Sequence, residues 1–198
     1  NVRLKPETLA ELVGELDRPS LGVKAEQQQT IVVDVCGVNL AKQMHVGHLR
    51  STVIGDAICR TLEKLGHTVI RQNHVGDWGL PIAMVVAKLQ SEAKAGRIDL
   101  DKVTLDDLDR LYKVAKQESS ADTKGLKAVQ RFQLGPKAQA ELEAQVAGAT
   151  EALEHAKQTL VKLQSGDHET VALWQKLYDV TMGACLETCE RLQANITE

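Results

Sequence analysis

The residues of this chain best suited to chemistry stand together at positions 39–48, Asn-Leu-Ala-Lys-Gln-Met-His-Val-Gly-His. His45 and His48 flank a Val-Gly pair, and imidazole N–H groups can donate hydrogen bonds to phosphate oxygens. Gly47 lacks a side chain, so a flat ring can approach its backbone closely. Lys42 supplies a mobile ammonium able to neutralise charge developing on a transferring phosphoryl group. Asn39 offers a carbonyl acceptor to an amine and an amide donor to an oxygen. The block follows a β-branched run at 30–35 and precedes a helical pattern that starts at Leu49. That is the carboxyl edge of a strand and the amino end of a helix. Open α/β sheets bind ligands there, and unpaired N–H groups with the helix dipole favour phosphate. The block is neither a Gly-x-Gly-x-x-Gly loop nor a Walker loop. Nucleotide phosphates fit it. As a metal site, His45 and His48 have no third ligand nearby in sequence, and a purely structural role for both is the remaining alternative.

The elements that must position this block can be read from periodicity. Residues 4–17 predict a short helix with Pro6 in its first turn, broken by Pro19 and Gly22. The run at 30–35 predicts a buried parallel strand, and 67–72 a second one. Between them, apolar residues at 49, 53, 54, 57, 58, 61, 62 and 65 follow a helical period that Gly66 closes. Strand, helix and strand in succession predict one right-handed βαβ unit. A helix over 82–95 follows, then one opened by Thr104 and Asp107 in the manner of a capping box. Residues 119–136 carry the weakest signals. Residues 137–164 hold a sustained heptad-like stripe through Leu142, Val146, Ala149, Leu153, Ala156, Leu160 and Leu163, which predicts a long helix with coiled-coil-like contacts. Its expected partner is a last helix over 169–192.

Composition narrows the function classes. The chain has 198 residues, 43% of them hydrophobic, which suffices for a core. Lys and Arg number 24 against 27 Asp and Glu, so a wholly basic nucleic-acid-coating surface is excluded while a local basic cleft is not. Aromatics are 3%, too few for a typical β-sandwich. Cys36, Cys59, Cys185 and Cys189 match neither a secreted disulfide framework nor a paired zinc site and are expected to be reduced, semi-buried thiols. With no run of about 20 apolar residues and no recognisable targeting segment at the start, the expectation is a cytoplasmic protein without membrane contact.

The block as a whole resembles the catalytic core of arginyl-tRNA synthetases, which are class I enzymes. That family carries Asn-x-Ala-Lys-x-Met-His-Val-Gly-His-Leu-Arg-Ser-Thr, then Gly-Asp, Leu-Gly-His and Val-Gly-Asp-Trp-Gly. This chain matches at Asn39, Ala41, Lys42, Met44, residues 45–52, Gly55 and Asp56, residues 65–67 and residues 75–79. Two further stretches, LDDLDRLYKVAK and VKLQSGDHETVALWQKLYDVT, and Glu190, Arg191 and Leu192 also look like the family's helical segment. The resemblance implies an α/β fold, the first half of a class I synthetase Rossmann-like nucleotide-binding fold with a large helical insertion. Residues 1–28 would be a linker and short helix from a preceding module, 29–98 the βαβ nucleotide-binding half, and 99–198 a helical segment with long antiparallel helices. The stretch around 134–158 would be the insertion.

By the same resemblance His45 and His48 are the histidines of the HIGH signature, holding ATP phosphates in the transition state of adenylate formation. Gly47 packs against adenine. Asn39 and His48 contact the arginine substrate, and Lys42 stands in for a lysine signature weakened later in the chain. The implied reaction joins L-arginine and ATP, with Mg2+ accompanying the nucleotide, into arginyl-adenylate, then transfers arginine to tRNA(Arg). An in-line displacement at phosphorus needs positioning and charge neutralisation more than an acid–base pair. The chain departs from the family at Cys36, Gly37 and Val38, where Ser and Pro are usual, and at Leu80, Pro81, Ile82 and Ala83. Asp77 and Trp78 could either orient the site or pack. The expectation is a piece of a monomeric arginine–tRNA ligase that does not aminoacylate by itself. The alternative is a catalytically silent paralogue acting as a binding or assembly module. A related nucleotidyltransferase would share His45 and His48 but not the Val-Gly-Asp-Trp-Gly block.

Overall fold

A computed structural model describes residues 3–23, 27–76 and 78–196. In order, the elements among them are α1 (Pro6–Leu16), β1 (Thr30–Asp34), α2 (Val46–Lys64), β2 (Thr68–Gln72), α3 (Leu80–Lys94), α4 (Leu105–Glu118), α5 (Thr123–Phe132), α6 (Pro136–Gln164) and α7 (His168–Arg191). The chain divides into two compact units. One comprises Asn1–Gly37, Val46–His74 and Cys189–Glu198, the other Val38–His45 and Val75–Thr188.

In the first unit β1 and β2 pair in parallel, with Thr30 opposite Thr68 and Asp34 opposite Gln72, and α2 connects them and lies against both. The α2 face turned inward carries His48, Thr52, Gly55, Asp56 and Cys59, a spacing of threes and fours that puts all five on one side. Gly55 permits the approach. A Cβ there would stand 3.0 Å from the Val35 Cα and 3.1 Å from its carbonyl oxygen. The helix closes at Gly66 as predicted, in a Schellman turn: Gly66 takes φ +95°, its N–H donates to the Glu63 carbonyl, and the His67 N–H donates to the Leu62 carbonyl. Beneath α2 the buried Arg71 of β2 pairs with Glu63 and faces Asp56 at 3.6 Å, while Arg60 Nε donates to Asp56 at 2.6 Å. Arg71 holds the Glu63 carboxyl below its usual range, and burial pushes the Cys59 thiol up. The opposite sheet face, Val32 and Ile70, is exposed, as are Leu9, Leu12 and Val13 of α1, none of whose described residues is buried.

The second unit is helical. Its core gathers Leu40 and Ala41 with Val85, Leu89, Leu108 and Leu177. α3 runs between α4 and α6. Thr104 caps α4 through the predicted box: its Oγ accepts the Asp107 N–H at 3.2 Å, and the Asp107 carboxylate accepts the Thr104 N–H. Two expectations change. Residues 119–136 hold a real helix, α5, whose N-cap Asp122 accepts the Gly125 N–H at 2.8 Å and which buries only Val129. Leu126, Val129 and Phe132 recur every third residue there, a periodic signal that is present but only ten residues long. And α6 packs chiefly on α3, with α5 and α4 beside it, where only a partner in the last helix was expected. Its buried seam is Ala149, Ala156 and Leu163, one heptad apart. The stripe defined a face of α6 but not what would cover it.

The four cysteines are buried, deeper than expected. Among the described residues no helix is long and apolar enough to cross a membrane.

Candidate functional site

The segment Val38–His45 belongs to the second unit and is held there from its middle. Leu40 and Ala41 are 1% and 0% exposed. Ala41 adopts φ +57°, a left-handed conformation that costs a non-glycine residue about 1 kcal/mol and that the surroundings must therefore hold. Its N–H donates to Thr181 Oγ at 3.1 Å, and Thr181 in turn donates to the Leu177 carbonyl at 2.8 Å. Next to it, Gln43 donates its side-chain amide to Asp106 on α4. Lys42 lies half-buried with Nζ 4.0 Å from the centroid of the Tyr112 ring, also on α4. Asn39 and His45 are exposed, Asn39 between the buried Val38 and Leu40. A rigid apolar anchor thus presents an amide, an ammonium and an imidazole.

In the first unit, α2 begins three residues earlier in the sequence than its apolar stripe does, so Val46, Gly47 and His48 form its first turn rather than the preceding loop. Glycine and a solvent-facing valine add little to an apolar pattern, which is why the start was misplaced. No acidic residue occupies that turn. No acidic side chain there opposes an anion drawn by the positive end of the helix dipole. His48 is buried, whereas His45 is exposed. The His48 carbonyl accepts from Ser51 Oγ at 2.9 Å and from Thr52 Oγ at 2.8 Å. The same hydroxyls lie 3.2 Å from the Cys36 carbonyl oxygen and the Cys36 sulfur, respectively. Ser51 and Thr52, read above only as part of a motif, thus fasten the first turn of α2 to the end of β1. Their hydroxyls, following a helix start directly, were the available signal.

The strand ends are cross-tied in the same unit. Gly37 N–H donates to Asn73 Oδ1 at 3.0 Å, and His74 N–H donates to Asp34 Oδ1 at 3.1 Å. Gly37 takes φ +65°, so the glycine that replaces the family's usual residue there serves a turn its neighbours could not make unstrained. In the second unit Trp78 meets Trp174 edge to face at 5.6 Å, and its carbonyl accepts from Gln164 at 3.3 Å. Trp78 therefore packs. Asp77 lies outside the described residues.

Against known proteins, residues 12–198 match the family described as tRNA synthetases class I (R), catalytic domain. The arginine–tRNA ligase of Haemophilus ducreyi is 40% identical over 199 residues, and that of Shigella sonnei 42% identical over 200. Each alignment takes in 100% of this chain, but only 30% and 29% of the relative, so the chain spans about 30% of the length of the curated relatives it matches. Among solved structures, the arginyl-tRNA synthetase of Plasmodium falciparum aligns with a TM-score of 0.57 and 26% identity over 93% of this chain and 25% of its own. That of Thermus thermophilus shares the fold at a TM-score of 0.52 and 24% identity, over 99% of this chain and 26% of its own. With a small parallel sheet among helices, and a sequence that follows the family through nearly its whole length, this chain belongs to the class I (R) tRNA synthetases, as part of their catalytic domain.

Proposed function

We propose that the chain carries the nucleotide-facing part of an arginine–tRNA ligase. It would act in the activation of L-arginine by MgATP, Mg2+ arriving with the nucleotide as substrate, and in transfer of arginine to tRNA(Arg). In the first step a carboxylate oxygen of arginine forms a bond to the α-phosphorus, and the bond to pyrophosphate breaks. In the second, a ribose hydroxyl at the tRNA 3′ end takes the acyl group and AMP leaves. Neither step needs a strong base from the protein. Both need anionic oxygens held in line and their charge offset.

The residues for this are His45, His48 and Lys42 on the phosphates, Gly47 against adenine, and Asn39 together with His48 toward the α-amino and carboxylate groups of arginine. His48, with its backbone already engaged, suits a fixed donor. The observation that carries the reading is the first turn of α2: a glycine-containing helix start without an acidic residue, preceded by an exposed histidine. Such a terminus favours an anion through its N–H groups and dipole. The division into a leading linker at 1–28, a βαβ half at 29–98 and a helical segment at 99–198 belongs to the same proposal, with 134–158 as an insertion. So do a monomeric parent and a cytoplasmic setting.

Calorimetric titration with MgATP tests the reading. The chain should bind, and His45→Ala, with an unchanged circular dichroism spectrum, should bind about tenfold or more weakly, the scale of one charge-assisted hydrogen bond. Equal affinity in the two proteins, or no binding by the parent chain, would sink the assignment.

A further inference from the structure

Lys42 is the one cation in the 38–45 segment, and what it rests on is a ring rather than a carboxylate. Its ammonium stands 4.0 Å from the centroid of Tyr112. On α4, Asp106 accepts the Gln43 amide, and Asp109, one turn before Tyr112, pairs with Lys113. The distinction matters chemically. A carboxylate would fix a lysine and cancel its charge; an aromatic face fixes it through the ring quadrupole and leaves the full positive charge to act outward. The residues on either side are held independently, Ala41 through its backbone N–H by Thr181 and Gln43 through its side-chain amide by Asp106. Tyr112 itself packs on the core that holds Leu40 and Ala41. Ring, stem and backbone therefore form one preorganised unit in which the ammonium loses little freedom on meeting an anion.

We propose that Tyr112 is the positioning residue for Lys42, holding it charged and uncompensated for a polyphosphate ligand. The inference rests on the reading of Lys42 as a phosphate-binding residue and adds the residue that makes it one. What Tyr112 contributes is its π face; its hydroxyl has no part.

The experiment uses the full 198-residue chain with Tyr112→Phe, Tyr112→Leu, Lys42→Met and the Lys42→Met/Tyr112→Leu double variant, each checked for an unchanged circular dichroism spectrum. MgATP and inorganic tripolyphosphate are titrated against each. Separately, the rate at which acetic anhydride acetylates Lys42 is read by peptide mass spectrometry without ligand. Tyr112→Phe should match the parent. Tyr112→Leu should bind both ligands about three- to tenfold more weakly, the range of a partly shielded cation–π contact, and Lys42 should acetylate faster. In the Lys42→Met background the leucine should change nothing further. If Lys42→Met weakens binding while Tyr112→Leu alters neither affinity nor acetylation, the role of Tyr112 is overturned and the phosphate reading stands. If the leucine lowers affinity equally with and without Lys42, its effect is structural and the proposal is again overturned. If Lys42→Met binds like the parent, the phosphate reading of Lys42 fails, and the role of Tyr112 falls with it.

Discussion

His45 and His48 look interchangeable on the page and are opposites in the fold. His45 is exposed on the segment before α2; His48 is buried, in the first turn, with two hydroxyls on its carbonyl. Truncating them should separate ligand binding from stability. His45→Ala is expected to leave the urea midpoint within about 0.5 kcal/mol of the parent, as for an exposed position. His48→Ala opens a void under α2 and should cost about 1–3 kcal/mol. Equal losses would contradict the burial seen here. The kind of chemistry at 39–48 was legible because histidine, lysine and glycine have few other reasons to cluster. Their inequality was not, because burial is decided by where α2 starts and what Cys36 ties down. Neither leaves a periodic trace. Tyr112 went unnoticed for the same reason: in sequence it is one more apolar position on the face of α4.

Elements were legible where local chemistry sufficed. The capping box at Thr104, the Schellman turn at Gly66 and the parallel strands all follow from residue types within a few positions of one another. Pairings among the long helices did not follow, and α6 shows why. An alanine-rich heptad seam fits any smooth helix, and it is α3, with its own small residues, that fills the place. Gly55 belongs to this scale. Matched above only as part of a Gly-Asp motif, it is the point where α2 touches Val35, just past the end of β1. Gly55→Ala places a methyl group against backbone that cannot swing aside, and should destabilise by about 1–3 kcal/mol by overpacking. Thermal unfolding measures it. A gain in stability from the better helix former would mean that α2 does not sit as closely as described.

Across the whole molecule the carboxylates are set for neutral pH. Arg97 holds Glu92 down to about 2, with Lys88 assisting, after burial has pushed the other way. Thr104 lowers Asp107, Thr170 lowers Asp167, and Gln90 with Lys94 lowers Glu169. Each group is more acidic folded than unfolded. Its contribution is therefore present above the unfolded carboxylate range and is lost as pH falls through the folded value. The melting temperature should be level from pH 8 to about 5, then fall between about 4.5 and 2, Glu92 losing its contribution last. Glu92→Gln should lower the plateau and leave the most acidic points unchanged. A melting temperature that rises on acidification would reverse the sign argued here.

The bond from Ala41 to Thr181 spans 140 positions, whereas the tie from His74 to Asp34 spans 40. On a chain emerging from the ribosome, β1, α2 and β2 have one another early, and the stretch 189–198 joins their unit later. The neighbouring segment bearing Lys42 and His45 must wait, unanchored, until the residues of α7 have been synthesised, since loops of that length close late and slowly. Biosynthesis thus pairs the strands first and seats the lysine only once α7 has been made.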